Sequence, residues 1–127
     1  MEPLQERKLI HQCAKRFRKL GFVVVLDKEV IHGHSQFGKS DLIAEKGNVI
    51  CEIECKYINK TNATKKRKKV REQALNYASL LKYKFTQKIV KAYTFTNEEG
   101  LEFLGEISEK QSKARVRKYF VKVGLRF

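Results

Sequence analysis

The sequence predicts one α/β domain, a central sheet flanked by helices. Three observations point there. The chain has 127 residues, enough to bury a real core and too few to divide comfortably into two. Segments of helical period alternate with short β-branched runs, the pattern that places helices against a sheet. Two of those runs are separated only by a polar, Gly-bearing turn, which reads as a hairpin.

The elements follow in order. Pro3 opens a helical pattern in which Leu9, Cys13, Phe17 and Leu20 recur at three- and four-residue spacing, and Gly21 supplies a stop. The apolar run 22–26 reads as a first strand. The Gly-punctuated stretch 32–38, which holds His32, His34 and Ser35, reads as a loop. Residues 40–44 and 49–57 form the hairpin, with its turn at 45–48. Residues 58–64 are a polar connection, and Val70, Gln73, Ala74, Tyr77, Ala78 and Leu81 mark one stripe of a helix over 65–83. Residues 89–95 read as another strand. Beyond them, Asn97 with Glu98 and Glu99 suits a short helix cap. The end of the chain reads equally as a strand through Tyr119, Val121, Val123, Leu125 and Phe127 or as a helix through Val116, Phe120 and Val123.

Charge names a class of partner. There are 28 Lys and Arg against 14 Asp and Glu, a formal net charge of +14. Such an excess draws polyanions, and each phosphate met by a Lys or Arg releases condensed counterions, so nucleic acid is the expected partner. A composition 42% hydrophobic and 33% charged is globular. No apolar run approaches the ~20 residues of a bilayer crossing and no apolar leader opens the chain, so an intracellular protein with no membrane partner is expected. Cys13, Cys51 and Cys55 form no CxxC pair. Cys51 and Cys55 stand about 13 Å apart along one strand, too far for a disulfide, so the three read as small buried side chains.

The chemistry concentrates in the hairpin. Alternation along 49–57 puts Ile50, Glu52, Glu54 and Lys56 on one face. With a turn over 45–48, Ala44 pairs with Val49 and Asp41 falls opposite Glu52, so that Asp41, Glu52, Glu54 and Lys56 crowd one patch. Acids held that closely raise one another's pKa unless a cation sits between them, and Mg²⁺ takes one to three carboxylates while keeping several waters. A solvated face on an edge strand would carry the same charges. Glu6 and Gln73 lie on the inner stripes of their helices, where a carboxylate and an amide serve either a site or, respectively, a helix dipole and a core hydrogen bond. The run Lys65, Lys66, Arg67, Lys68, Lys69, with Arg71, begins a helix against its dipole, which argues for an anionic partner. Lys39, beside the hairpin, is a further candidate contact to nucleic acid.

Asp41, thirteen residues before Glu54-Cys55-Lys56 across a hairpin, resembles the signature of the PD-(D/E)xK nuclease superfamily, with Ser40 in place of the usual Pro. Within it the chain is most similar to archaeal-type Holliday-junction resolvases, on Glu6-Arg7-Lys8-Leu9, Gly21-Phe22 and Glu72-Gln73; the likeness spans roughly residues 5–95. It implies a restriction-endonuclease-like mixed sheet in a single domain and a Mg²⁺-dependent endonuclease, with Mn²⁺ able to substitute. Asp41, Glu54 and the main-chain carbonyl of Cys55 would be the metal ligands. Lys56 would orient or deprotonate the attacking water, and Glu6 and Gln73 would assist. Branched DNA as substrate, a contact from Ser35 to DNA and a homodimer with two paired cuts are further implications. A nuclease of another specificity (restriction-like, homing or viral) and a basic nucleic-acid-binding module without chemistry are the alternatives.

Overall fold

The computed structural model describes residues 2–29 and 38–122. They form a single α/β domain, a five-stranded mixed open sheet with three helices packed on it. The elements in chain order are α1 (Glu2–Lys19), β1 (Val23–Glu29), β2 (Lys39–Lys46), β3 (Val49–Lys56), α2 (Ala63–Lys84), β4 (Ile89–Thr96), β5 (Gly100–Glu106) and α3 (Glu109–Lys122). Strand order follows chain order, β1-β2-β3-β4-β5. All neighbours are antiparallel except β3 and β4, which run parallel. A parallel pair needs a crossover, and α2 supplies it.

β3 is the central strand, and six of its eight residues are buried. Both faces of the sheet are therefore covered, by different helices. On one face Leu9, Ile10, Cys13, Ala14 and Phe17 of α1 pack on Leu42, Ala44, Cys51, Ile53 and Cys55. On the other, Tyr77, Ala78, Leu80 and Leu81 of α2 and Val116 of α3 pack on Ile43, Ile50, Val90 and Ala92. The three cysteines are all buried and free. The alternation that puts Ile50 against α2 puts Glu52 and Glu54 on the same side.

Three expectations are corrected. The β2–β3 turn is shorter than 45–48: Lys46 pairs with Val49, and Gly47, in a left-handed conformation (φ 58°), closes it with Asn48. Ala44 thus pairs with Cys51, and Ile43, not Asp41, stands opposite Glu52. The slip is two residues, so every side chain keeps its face. Asn97-Glu98-Glu99 caps no helix; it is the turn joining β4 to β5, and Asn97 instead brackets Ile58, accepting from its N–H (2.6 Å) and donating to its C=O (2.9 Å). β5, which periodicity did not reveal, closes the sheet edge before α3. Of the two readings of the chain end, the helix through Val116 is the one formed; residues 123–127 lie outside the described residues.

Gly38 enters β2 with φ 86°, and a Cβ there would stand 2.1 Å from the Tyr77 hydroxyl. Tyr77 is buried and cannot retreat without opening the α2 core. Gly38→Ala is therefore expected to cost about 2 kcal/mol or more, read as a lowered urea midpoint with an unchanged slope.

Candidate active site

The C-terminal end of β3, the start of β2, the first turns of α1 and the N-terminal half of α2 enclose a cavity of about 340 Å³. Its lining holds Glu6, Asp41, Glu54, Cys55, Lys56, Lys66, Lys69 and Gln73. All five residues proposed from sequence for catalysis, and all three proposed as metal ligands, converge on it.

Strand pairing locks the two acids together. The register that sets Leu42 beside Ile53 carries on so that the Asp41 N–H donates to Glu54 Oε2 (3.1 Å) and the Cys55 N–H donates to Asp41 Oδ2 (2.9 Å). Each carboxylate is thus fixed to the other strand's main chain through one oxygen. Burial pushes the Asp41 carboxyl up to about 6, against the pull of the Cys55 amide, and the charge of Glu6 raises it further. Glu54, 2% exposed, is pushed by burial up to about 8.

Behind them Glu52 is fully buried. Burial, with the charge of Glu54 beside it, lifts its carboxyl well above the ordinary range. The Ser40 hydroxyl bonds Glu52 Oε2, while Glu52 Oε1 meets no donor. Ser40 is itself buried and also lies 3.5 Å from Glu54 Oε2. A hydroxyl at this position therefore ties both glutamates, which a proline could not do. Glu52 does not line the cavity.

Lys56 leaves β3 on the same face, and its ammonium meets Glu6 Oε1 at 2.9 Å. A carboxylate on the inner stripe of α1 is thereby explained by a partner inside the cavity. Gln73 donates to the Tyr77 hydroxyl (3.0 Å), which holds its amide at the cavity wall.

The basic run divides by helical geometry. Lys66, Lys69 and Gln73 share one face at i, i+3 and i+7 and line the cavity. Arg67 and Arg71 face the β4–β5 hairpin, where Arg67 pairs with Glu98 (2.6 Å) and Arg71 with Glu102 (2.9 Å) and Glu99 (3.3 Å). Lys65 and Lys68 are exposed and outside the lining, and so is Lys39 at the start of β2. Ser35, with His32 and His34, lies outside the described residues. The first turn of the helix carries no acid and Asn62 supplies no side-chain cap, so its lysines sit near the positive end of the dipole.

Asp41 and Glu54 bring carboxylate oxygens to the lining, donors that suit a hard divalent cation. Among the described residues no group of three or more His, Cys, Asp or Glu side chains is gathered to hold a metal unaided. Among the described residues no helix is long and apolar enough to cross a membrane. The chain matches no family model and no curated protein.

Proposed function

We propose that this protein is a Mg²⁺-dependent DNA endonuclease with a restriction-endonuclease-like fold of the PD-(D/E)xK kind, acting on branched DNA as a homodimer. The observation that carries the reading is the convergence of Asp41, Glu54, Cys55 and Lys56 with Lys66 and Lys69 on one cavity. Acids that repel a phosphate have no place in a site for mere backbone binding. Set among lysines and pushed up by burial, they make sense as the seat of a cation.

Asp41, Glu54 and the Cys55 carbonyl would hold the ion. When bound, Mg²⁺ supplies a Lewis acid and a water of lowered pKa. Lys56, its ammonium fixed by Glu6, orients the attacking water and offsets charge growing on the non-bridging oxygens. Lys66 and Lys69 draw in the phosphate, and Gln73, steadied by Tyr77, positions a water or phosphate oxygen. Two copies would supply the symmetric pair of cuts that a four-way junction requires.

The decisive test incubates the protein with four-way junction, flap, single-stranded and duplex DNA, with Mg²⁺ or with chelator. Paired cuts in the junction that need Mg²⁺ are expected. Cleavage of linear duplex at one sequence would replace the junction reading, and cleavage of nothing would favour a binding module. Lys66→Gln with Lys69→Gln is expected to weaken DNA binding in chelator about tenfold. It should also reduce the log–log salt slope by about 1.8, some 0.9 per lost phosphate contact. The double change Arg67→Gln, Arg71→Gln, at residues already paired to glutamates, is expected to alter the slope less. Anisotropy titrations at several salt concentrations read both.

A further inference from the structure

α3 carries six Lys and Arg residues against the single acid Glu109. Its packing sets where that charge goes. The Ser112 hydroxyl donates to the Ser79 carbonyl (2.5 Å), and Arg115 Nη1 donates to Asn76 Oδ1 (3.1 Å). Residue numbers rise on α3 as they fall on α2, so the helices are antiparallel. The C-terminal half of α3 therefore approaches the N-terminal, lysine-rich half of α2.

Between them lies a cleft of about 420 Å³. Leu75, Ile107 and Ala114 supply its apolar lining, and Asn76, Gln111, Arg115 and Lys118 its polar groups. Two of its acceptors are already engaged. Asn76 Oδ1 takes Arg115, and Gln111 Oε1 accepts from the Ser108 N–H (3.0 Å) while Ser108 Oγ accepts from the Gln111 N–H (3.1 Å), closing the start of α3. What the cleft has to offer a ligand is therefore mainly donors and positive charge. Among the described residues Glu72 is the one acid in the lining.

The cleft adjoins the cavity. Gln73 of the cavity and Asn76 of the cleft are three apart on α2, as are Lys69 and Glu72, so each pair stands about 5–6 Å apart on one helix surface. A strand rising ~3.4 Å per nucleotide passes from one to the other within a few phosphates.

We propose that the α2–α3 cleft is a second nucleic-acid seat, in which Arg115 and Lys118 hold the phosphate backbone of a DNA strand that crosses α2 on leaving the cavity. The inference rests on the nucleic-acid reading of the cavity and adds to it where the strand runs next. Glu72 sits on that path as the repulsive element. Donors and cations without a free carboxylate cage select phosphate, and the proximity of the cavity selects a phosphate of the same strand.

The test measures anisotropy of labelled four-way junction and of duplex with the same arm sequence, in chelator, over a range of salt. Lys118→Gln and the double change Arg115→Gln, Lys118→Gln should weaken binding, the double change by about tenfold and with a salt slope smaller by about 1.8. Glu72→Gln should tighten binding a few-fold, a sign that no loss of folding mimics. Lys118 is exposed and holds no element in place, so its variant keeps the test open should Arg115→Gln unfold. If cleft variants keep the wild-type slope while Lys66→Gln, Lys69→Gln lowers it, the second seat is wrong and the nuclease reading stands. If the unmodified protein binds neither DNA, the nucleic-acid reading fails and takes the cleft with it.

Discussion

Asp41→Asn and Lys56→Ala should each lower Mg²⁺-dependent cleavage by at least ~10²–10³-fold, while affinity for the same DNA in chelator stays nearly unchanged. Asp41 is the acid whose Oδ2 is fixed by the Cys55 amide, and an asparagine keeps that acceptor while losing the charge that would hold the ion. Lys56→Ala removes the ammonium and leaves Glu6 in the cavity without it. Single-turnover cleavage of a labelled junction and anisotropy in chelator separate chemistry from binding. A fall in affinity that matches the fall in rate for both variants would mean the pair builds the contact surface and not the reaction. Stability gives an independent readout. Burial raises the Asp41 carboxyl, so ionising it destabilises the metal-free fold, and Asp41→Asn is expected to melt higher than the unmodified protein at neutral pH.

The metal-free protein should lose stability as pH rises from about 5 to 8, the reverse of ordinary acid denaturation. Asp41 and Glu54 have folded-state values of about 6 and about 8, above their ordinary 3.8 and 4.5, and Glu52 is raised as well. A raised group binds its proton more tightly in the native state. Its stabilising contribution is complete below the unfolded value and is lost as pH climbs through the folded one. For the two acids the window runs from about 4 to about 8. Mg²⁺ binds the ionised carboxylates, so the melting temperature it adds should be small at pH 5 and several degrees at pH 8. Melting curves at fixed ionic strength, with Mg²⁺ and with chelator, check both slopes. A metal-free melting temperature that rises steadily from pH 5 to 8 would show the carboxylates solvated and the cavity misread. So would a Mg²⁺ shift that does not depend on pH.

Much of this arrangement could be read from the chain because strands write a period of two. Alternation alone put Glu52, Glu54 and Lys56 on the face of Ile50, and a two-residue error in register left that intact. The same error hid which acid faces which: the partner of Asp41 is Glu54, and Glu52 lies one step deeper, out of the cavity. Glu6 and Gln73 were legible because polar residues on apolar stripes need partners, and they have them in Lys56 and Tyr77. The basic run was misleading in its unity. Seven successive residues wrap almost twice round a helix, so the charge run could not say that Lys66 and Lys69 face one way while Arg67 and Arg71 meet three glutamates elsewhere. Two of those glutamates sit at the β4–β5 turn, where Asn97-Glu98-Glu99 has the composition of a helix start, and the third, Glu102, on β5. Only the pairing of β5 with β4, a tertiary event, makes that segment a hairpin turn.

The order in which the chain brings these groups together follows from the two-residue β2–β3 connection. Asp41 meets Glu54 through a contact thirteen residues long in sequence, among the cheapest ring closures available to a polypeptide. The central strand meets β4 only across the forty residues from Val49 to Ile89, with α2 between them. Mutually repelling anions are thus gathered by the most local step, and the lysines that surround them become fixed only when the most distant pairing is made. A nascent hairpin of this kind leaves its carboxylates to water, and they draw protons up only as the later pairing buries them.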